Sequence, residues 1–256
     1  MPYKIRRPTD YLKDEVARNI LIYGPPGVGK TTLAAGANNA FFVSTDPEGP
    51  VSLLLNPETR LTPFVQVEDV KTLAEVTNDI VNGTNGMRDF ETIVIDTISV
   101  EQTMDLIELR DAARNNQGKA SMNEWSLTNQ HMSDHMFKLM KSKKWGGRLI
   151  VLAHHKELWD QDGMKKTLKA IRPAVTPGTW EALPGMFSGI YYYRLGKLVQ
   201  GVQHRELWTQ AAPIKAQTKD RYGLPPTIED PTWDKVEAII MARRNKIKQQ
   251  LETKSD

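Results

Sequence analysis

The chain has no cysteine among its 256 residues, and this absence excludes several kinds of chemistry. Disulfide bonds, thiolate metal sites and cysteine nucleophiles all require a thiol. Long apolar runs are also missing, since none approaches the ~20 residues that a membrane-spanning helix needs. The N-terminal sequence MPYKIRR lacks the apolar stretch of a secretory signal. We therefore expect a cytoplasmic protein with no membrane partner.

The excess of charge of one sign over the other is small as well. The net charge is only +3, and its distribution matters more than its sum as an indicator of nucleic-acid binding. Hydrophobic residues make up 39% of the chain and charged residues 25%, which is typical of a globular protein. The length favours one large domain with appendages. We predict an N-terminal extension over residues 1–18, a core over 19–228 and a C-terminal helical tail over 229–256.

What the chain does contain is a complete phosphate-binding loop, GPPGVGKT, at residues 24–31. An apolar, β-prone run precedes it and a helix-compatible segment follows it, which is the context that this G-x-x-x-x-G-K-[ST] pattern requires. Glycines allow backbone N–H groups to surround phosphates at the N-terminal end of a helix. The sequence therefore predicts a nucleoside triphosphate site, with ATP and Mg²⁺ as the cofactors.

Each loop position has an expected role. Lys30 is predicted to reach the β and γ phosphates, and the hydroxyl of Thr31 to bind Mg²⁺. The residues predicted to contact the nucleotide are Gly24, Pro25, Pro26, Gly27, Val28, Gly29, Lys30, Thr31 and Thr32.

Strands and helices alternate along the chain. The predicted strands are residues 19–23, 40–44, 92–96 and 148–153. Apolar residues at helical spacing over 69–81 predict a crossover helix, and 234–251 is predicted to be a basic amphipathic helix. Residues 190–208 predict a β-hairpin with its turn at Gly196 and Lys197. The pattern indicates an α/β fold with a mostly parallel sheet flanked by helices, an antiparallel hairpin and a terminal helix.

Polar residues at strand ends complete the predicted site. Asp96 ends a β-prone run and is predicted to hold Mg²⁺ together with Thr31. Asp46 and Glu48 follow the second strand, and either could orient or deprotonate the attacking water, although the same residues also favour a simple turn. His154 ends the fourth strand, where a side chain that senses the γ phosphate would lie.

Two further histidines, His131 and His135, stand one helical turn apart, as in metal sites. The glutamate of the zinc-protease pattern is missing from this segment, which argues against a metal there.

The order of these motifs resembles the RecA-like P-loop ATPases, in particular a phage-encoded branch linked to single-strand annealing and recombination. The resemblance covers about residues 18–228 and includes Trp125, the sequence RPA at 172–174 and the sequence TKDR at 218–221. It implies a RecA-like core and an ATPase. That branch commonly has a glutamate where the alignment places Asp46, and a shift of one residue would instead select Glu48.

The resemblance also implies partners. Lys219 and Arg221 are similar to a basic pair that related recombinases insert into the neighbouring subunit's ATP site, which implies a homo-oligomer, a filament or a ring. The loops after the 92–96 and 148–153 strands would carry single-stranded DNA, and cations outnumber acids in both. The predicted DNA-binding residues are Arg110, Arg114, Lys119, Lys165, Lys166, Lys169 and Arg172.

Three functions stay open at this point. The first is ATP hydrolysis coupled to single-stranded DNA in recombination, annealing or replication repair, with a single-strand binding protein as a further partner. The second is a nucleotide-dependent switch or loader that controls protein partners without touching DNA. A small-molecule kinase is the third, and the sequence shows no arginine-rich lid to support it.

Overall fold

The computed structural model describes residues 19–113, 120–142, 147–162, 165–211 and 214–252. The predicted extension over residues 1–18 lies outside the described residues. The strands are β1 (Ile20–Gly24), β2 (Ala40–Ser44), β3 (Phe64–Gln66), β4 (Thr92–Asp96), β5 (Arg148–Asp162), β6 (Lys165–Pro173), β7 (Gly189–Val199), β8 (Val202–Trp208), β9 (Lys219–Asp220) and β10 (Thr227–Glu229). The helices are α1 (Lys30–Ala35), α2 (Gly49–Leu55), α3 (Val70–Asn82), α4 (Ile98–Ala112), α5 (Met122–Lys141), α6 (Pro177–Met186) and α7 (Trp233–Glu252), with a 3₁₀ turn at Met87–Asp89.

The strands form one sheet with a parallel centre. Its parallel order is β3-β2-β4-β5-β1-β7, and β8 and β10 continue it in antiparallel fashion beyond β7. Strand β6 pairs antiparallel with β5, and β9 pairs antiparallel with β7. These elements confirm the predicted fold class.

Helices cover both faces of the sheet. Along β1, Leu21 and Tyr23 belong to the core on one face, whereas Ile20 and Ile22 belong to the core on the other. This alternation is the period of two that a strand imposes, and both faces are apolar because both are buried. Helices α3, α5 and α6 pack on the first face, and α1 and α7 pack on the second.

Local signals place the helix ends. Asp69 accepts a hydrogen bond from the Thr72 backbone N–H at the start of α3, and Gly83 ends that helix with a positive φ of 62°. Helix α5 begins with a reciprocal pair of hydrogen bonds between Ser121 and Glu124.

Strand β5 continues well beyond the sheet, which corrects the predicted loop after residue 153. From His155 onward it pairs with β6 as a hairpin, here called the β5–β6 arm (residues 155–162 and 165–173). The sequence did not indicate this because polar residues occupy both faces of the exposed part, so that apolar alternation is missing. The arm leaves the same edge of the sheet as the phosphate loop, because Gly24 lies beside His154.

A second hairpin, the β7–β8 arm (residues 194–199 and 202–206), leaves the same edge from the other side of β1. Its turn lies at Gln200 and Gly201, with φ of 49° and 79°, and not at Gly196 and Lys197 as predicted. Positive φ at both central residues is the geometry of a tight two-residue hairpin turn. Gly196 instead allows a close approach, because a Cβ there would lie 2.8 Å from the Glu206 side chain.

Within the described ranges, no helix has both the length and the apolar character needed to cross a bilayer.

Candidate active site

The phosphate loop, residues 24–31, connects β1 to α1 as the pattern predicts. Gly27 and Gly29 adopt positive φ of 74° and 94°, which L side chains rarely tolerate. At Gly24 a Cβ would lie 1.9 Å from the Tyr193 carbonyl oxygen, so only glycine fits between the two strands. Gly24, Gly27 and Gly29 are therefore required as glycines by the geometry of the loop.

Lys30 is buried at the base of the loop. Its ammonium donates hydrogen bonds to the carbonyl oxygens of Gly24 at 3.0 Å and Pro25 at 2.8 Å. Burial lowers the pKa of Lys30 to about 8, and the nearby carboxylates of Asp96 and Asp46 oppose that shift. The side chain is therefore mainly cationic at neutral pH and lies where the loop would hold phosphates.

Asp96 is joined directly to the loop's helix. Its Oδ2 accepts a hydrogen bond of 2.8 Å from the Thr31 hydroxyl, and the side chain is buried at the end of β4. Burial raises the pKa of Asp96 to about 6, with a smaller contribution from Asp46, against the opposing effects of Thr31 and Lys30. The two oxygen donors fit Mg²⁺, which prefers hard oxygen ligands and is usually held by few protein groups beside a phosphate.

Between the two predicted carboxylates, the structure distinguishes Asp46 from Glu48. Asp46 is half-buried and acts electrostatically on Lys30, Asp96 and His154, and its backbone N–H donates to the Asp96 carbonyl oxygen at 3.2 Å. Glu48 is exposed, and its backbone N–H donates to Asp46 Oδ1 at 3.0 Å. The predicted turn is therefore present, and the Glu48 backbone N–H holds one oxygen of the Asp46 carboxylate.

A protein-family model described as an AAA domain matches residues 17–222. This chain belongs to the AAA domain family. Membership supports nucleotide binding and ATP hydrolysis at the loop just described.

Solved structures also resemble this AAA domain. The flagellar accessory protein FlaH from Methanocaldococcus jannaschii is 11% identical over 84% of this chain and 87% of that chain, with a TM-score of 0.43. That likeness is too weak to support a functional comparison. No curated protein sequence matches the chain.

Removing the Asp96 charge from this AAA domain should increase its stability. The folded pKa of about 6 lies above the ordinary value of 3.8, so the ionised carboxylate destabilises the fold by an amount that grows as pH rises from about 4 through 6. We expect Asp96→Asn, without nucleotide, to unfold at higher urea at pH 7.5, with a gain of about 2–3 kcal/mol that vanishes at pH 4. An equal gain in stability at both pH values would contradict a raised pKa of Asp96. Asp111→Asn, on the exposed end of α4, is the control.

His154 lies beside the loop, because it pairs with Gly24 across β5 and β1. Its backbone N–H donates to Ser99 Oγ at 3.0 Å, and burial together with the Lys30 charge lowers the pKa of its imidazole, against an opposing effect of Asp46. His155, to which the sequence reasoning assigned no role, has its pKa lowered chiefly by burial and makes a hydrogen bond to the Gly24 backbone. The signal in the sequence was a second histidine shortly after the predicted strand 148–153.

Lys219 and Arg221 lie at the opposite edge of the sheet from the AAA domain's loop. Lys219 and Asp220 pair with the first residues of β7, and the Arg221 backbone N–H donates to the Ser188 carbonyl oxygen at 3.0 Å. The Lys219 ammonium donates to the Pro184 carbonyl oxygen, whereas Arg221 is exposed. Neither side chain can act on the loop of its own chain.

The structure separates the predicted DNA-binding residues. Lys165, Lys166 and Lys169 are exposed on the β5–β6 arm, and Lys169 pairs with Asp160 at 3.5 Å. Arg172, by contrast, is only 9% exposed. Its position at the base of the arm, where β6 meets the core, explains the burial.

The other predicted DNA-binding cations belong to the last turn of α4 and the residues after it. Arg110 lies in that last turn and pairs with Asp111 at 3.3 Å. Arg114 and Lys119 lie outside the described residues.

The histidines of α5 are paired with buried carboxylates on α4. His131 Nδ1 lies 2.8 Å from Asp105 Oδ1, and His135 Nδ1 lies 2.5 Å from Glu101 Oε1. Among the described residues, no three metal-binding side chains are grouped as a metal site would require. The two histidines are four residues apart on α5, and their carboxylate partners are four residues apart on α4. The two pairs therefore connect these helices side by side.

Proposed function

We propose that this AAA domain is a Mg²⁺-dependent ATPase that assembles as a homo-oligomer and acts on single-stranded DNA in recombination, annealing or replication repair. This proposal includes the RecA-like resemblance and the phage origin that it implies. It also includes a single-strand binding protein as a partner. The observation that carries it is the continuity of β5, which places His154 beside the loop and then extends into the exposed arm.

The arm has groups suited to an unpaired strand. Trp159 is 53% exposed, and an exposed indole is a stacking surface for bases. Lys165 and Lys166 have no ion-pair partner among the described residues, so they remain available for phosphates. A change at the γ phosphate could reach these groups along one strand.

The lysines of the arm provide a test by fluorescence anisotropy with labelled poly-dT and a non-hydrolysable ATP analogue. Lys165→Ala combined with Lys166→Ala should weaken binding and reduce the slope of log K against log salt by about 1.4, since each phosphate contact on a single strand contributes about 0.7. Lys71→Ala, on the exposed side of α3, is the control. Unchanged affinity and slope in the double variant would contradict DNA binding by the arm.

Sharing of the active site between subunits can be tested by mixing two inactive variants. An arginine supplied by a neighbour contributes about 10³–10⁵ in rate to related reactions, so Arg221→Ala should lose most hydrolysis, as should Lys30→Ala. In an equal mixture, Lys30→Ala subunits should present Arg221 to the intact loops of Arg221→Ala subunits and restore activity at about a quarter of the interfaces.

The control for this mixture is Arg60→Ala, which removes another exposed arginine and should remain active. If Arg221→Ala alone hydrolyses ATP normally, or if the co-assembled mixture stays inactive, Arg221 does not act in a neighbouring site.

A switch or loader is the second candidate, and one observation favours it. The tip of the β7–β8 arm exposes Leu198 by 67%, Val202 by 60% and Val199 by 47%, and such an apolar group is suited to a protein partner. Loss of a partner protein with Leu198→Ser, together with unaltered DNA-independent hydrolysis, would favour this function over the first.

A further inference from the structure

A cavity of about 310 Å³ lies between helices α3, α4 and α5. Val70, Leu73 and Met132 give it apolar walls. Its volume falls at the lower end of the range of about 300–1,000 Å³ that small-molecule sites occupy. The cavity is therefore large enough for a small organic molecule.

Two carboxyl groups of α4 line this cavity and have only half of their oxygens paired. The side chains of Glu101 and Asp105 are 0% and 5% exposed. One oxygen of each pairs with a histidine of α5, whereas Glu101 Oε2 and Asp105 Oδ2 have no hydrogen-bond partner among the described residues. A buried polar atom normally has a partner, and leaving it without one is costly. Two such oxygens at one cavity indicate a ligand that donates hydrogen bonds.

The charges around the cavity favour a cationic ligand. Apart from two histidines, the charged side chains of its lining are the carboxyl groups of Glu101, Asp105 and Asp134 and the ammonium of Lys138. A metal ion fits poorly, because within the described ranges no three metal-binding side chains are grouped as it would require. An organic ammonium group needs no such grouping, since it donates up to three hydrogen bonds in different directions.

The spacing of the two carboxyl groups sets the length of the ligand. Glu101 and Asp105 stand four residues apart on α4, which places their Cβ atoms about 5–6 Å apart on one face of the helix. An aliphatic chain of about four carbons with an ammonium group at each end spans a gap of this size. Its methylene groups would be removed from water against the apolar walls.

We propose that this cavity binds an aliphatic diamine, with one ammonium group at Glu101 Oε2 and the other at Asp105 Oδ2. The chain between the two ammonium groups lies against Val70, Leu73 and Met132. Because the ligand contacts α3, α4 and α5 together, its binding stabilises the folded chain. This inference does not require that the phosphate loop bind a nucleotide.

The test is calorimetric titration of the full chain with butane-1,4-diamine, with butan-1-amine and butane-1,4-diol as comparison ligands. The diamine should bind at a single site, the monoamine at least about tenfold more weakly because it makes only one of the two charged contacts, and the diol not measurably. Asp105→Asn removes one carboxylate at nearly constant size and should weaken the diamine at least about tenfold. Glu108→Gln, exposed on the same helix, is the matched control and should leave the affinity unchanged.

A second variant blocks the cavity without altering a buried charge, so the test remains valid even if Asp105→Asn fails to fold. Ala74 lines the cavity from α3 and is exposed, so Ala74→Phe should abolish diamine binding, whereas Glu75→Phe beside it should not. Three results would each overturn the proposal: no diamine binding by the unaltered protein, equal affinity for the diamine and the monoamine, or full diamine affinity in Asp105→Asn or Ala74→Phe.

Discussion

Replacing Asp46 with asparagine should lower ATP hydrolysis about 10²–10⁴-fold, the usual contribution of a positioned general base. Asp46 is half-buried within the electrostatic reach of Lys30, Asp96 and His154, so its carboxylate is placed to orient or deprotonate the attacking water. Asparagine keeps the size of the side chain, and ATP binding should therefore be retained. Steady-state hydrolysis and equilibrium binding, measured on the same preparation, separate the two effects.

Glu48→Gln is the matched control for this substitution. Glu48 lies two residues further along the same turn and is exposed, so we expect its neutralisation to change the rate by less than about twofold. The reverse pattern, with a large loss in Glu48→Gln and a small one in Asp46→Asn, would assign the catalytic carboxylate to Glu48.

Removing the His135 imidazole should destabilise the fold by about 3–5 kcal/mol, because it leaves a buried carboxylate without its partner. Glu101 is fully buried, and its other oxygen, Oε2, has no partner in the described residues. His135 also lies 2.9 Å from the Thr77 hydroxyl, so its loss affects α3 as well as the contact between α4 and α5. Urea unfolding of His135→Ala at pH 7 measures the change.

His131→Ala provides the comparison on the same helix. The side chain of His131 is 45% exposed, so water can reach the space that it leaves beside Asp105, and we expect a loss of about 1 kcal/mol or less. Equal losses in the two variants would show that burial does not set the cost, and no loss in His135→Ala would remove the pair from the stability of the fold.

Local patterns in the sequence predicted the centre of the molecule. The loop's glycines, Lys30 and the β-prone runs on either side of it determine their own geometry, so β1, α1 and β4 lie where the pattern indicated. Asp96 meets Thr31 because the sheet places the end of β4 near the loop. Parallel strands bring their carboxyl ends to one edge, which makes such a meeting predictable.

Contacts between residues far apart in the sequence could not be predicted. Helix α4 has buried polar side chains in place of a regular apolar face, because their partners, such as His135 for Glu101, lie on other helices. The two arms were missed or misplaced because exposed hairpins do not need a regular apolar face. Arg205 reaches Val28 only through the register of β7 and β8, which no short motif records.

The measurement that tests the central claim most directly is Mg²⁺-dependent ATP hydrolysis by the unaltered protein and by Lys30→Ala. We predict turnover that requires Mg²⁺ and that falls at least about 10²-fold in the variant, since Lys30 would stabilise the charge that develops on the phosphates. Equal turnover in the two proteins would contradict the account, because the loop would then not be the site of the reaction.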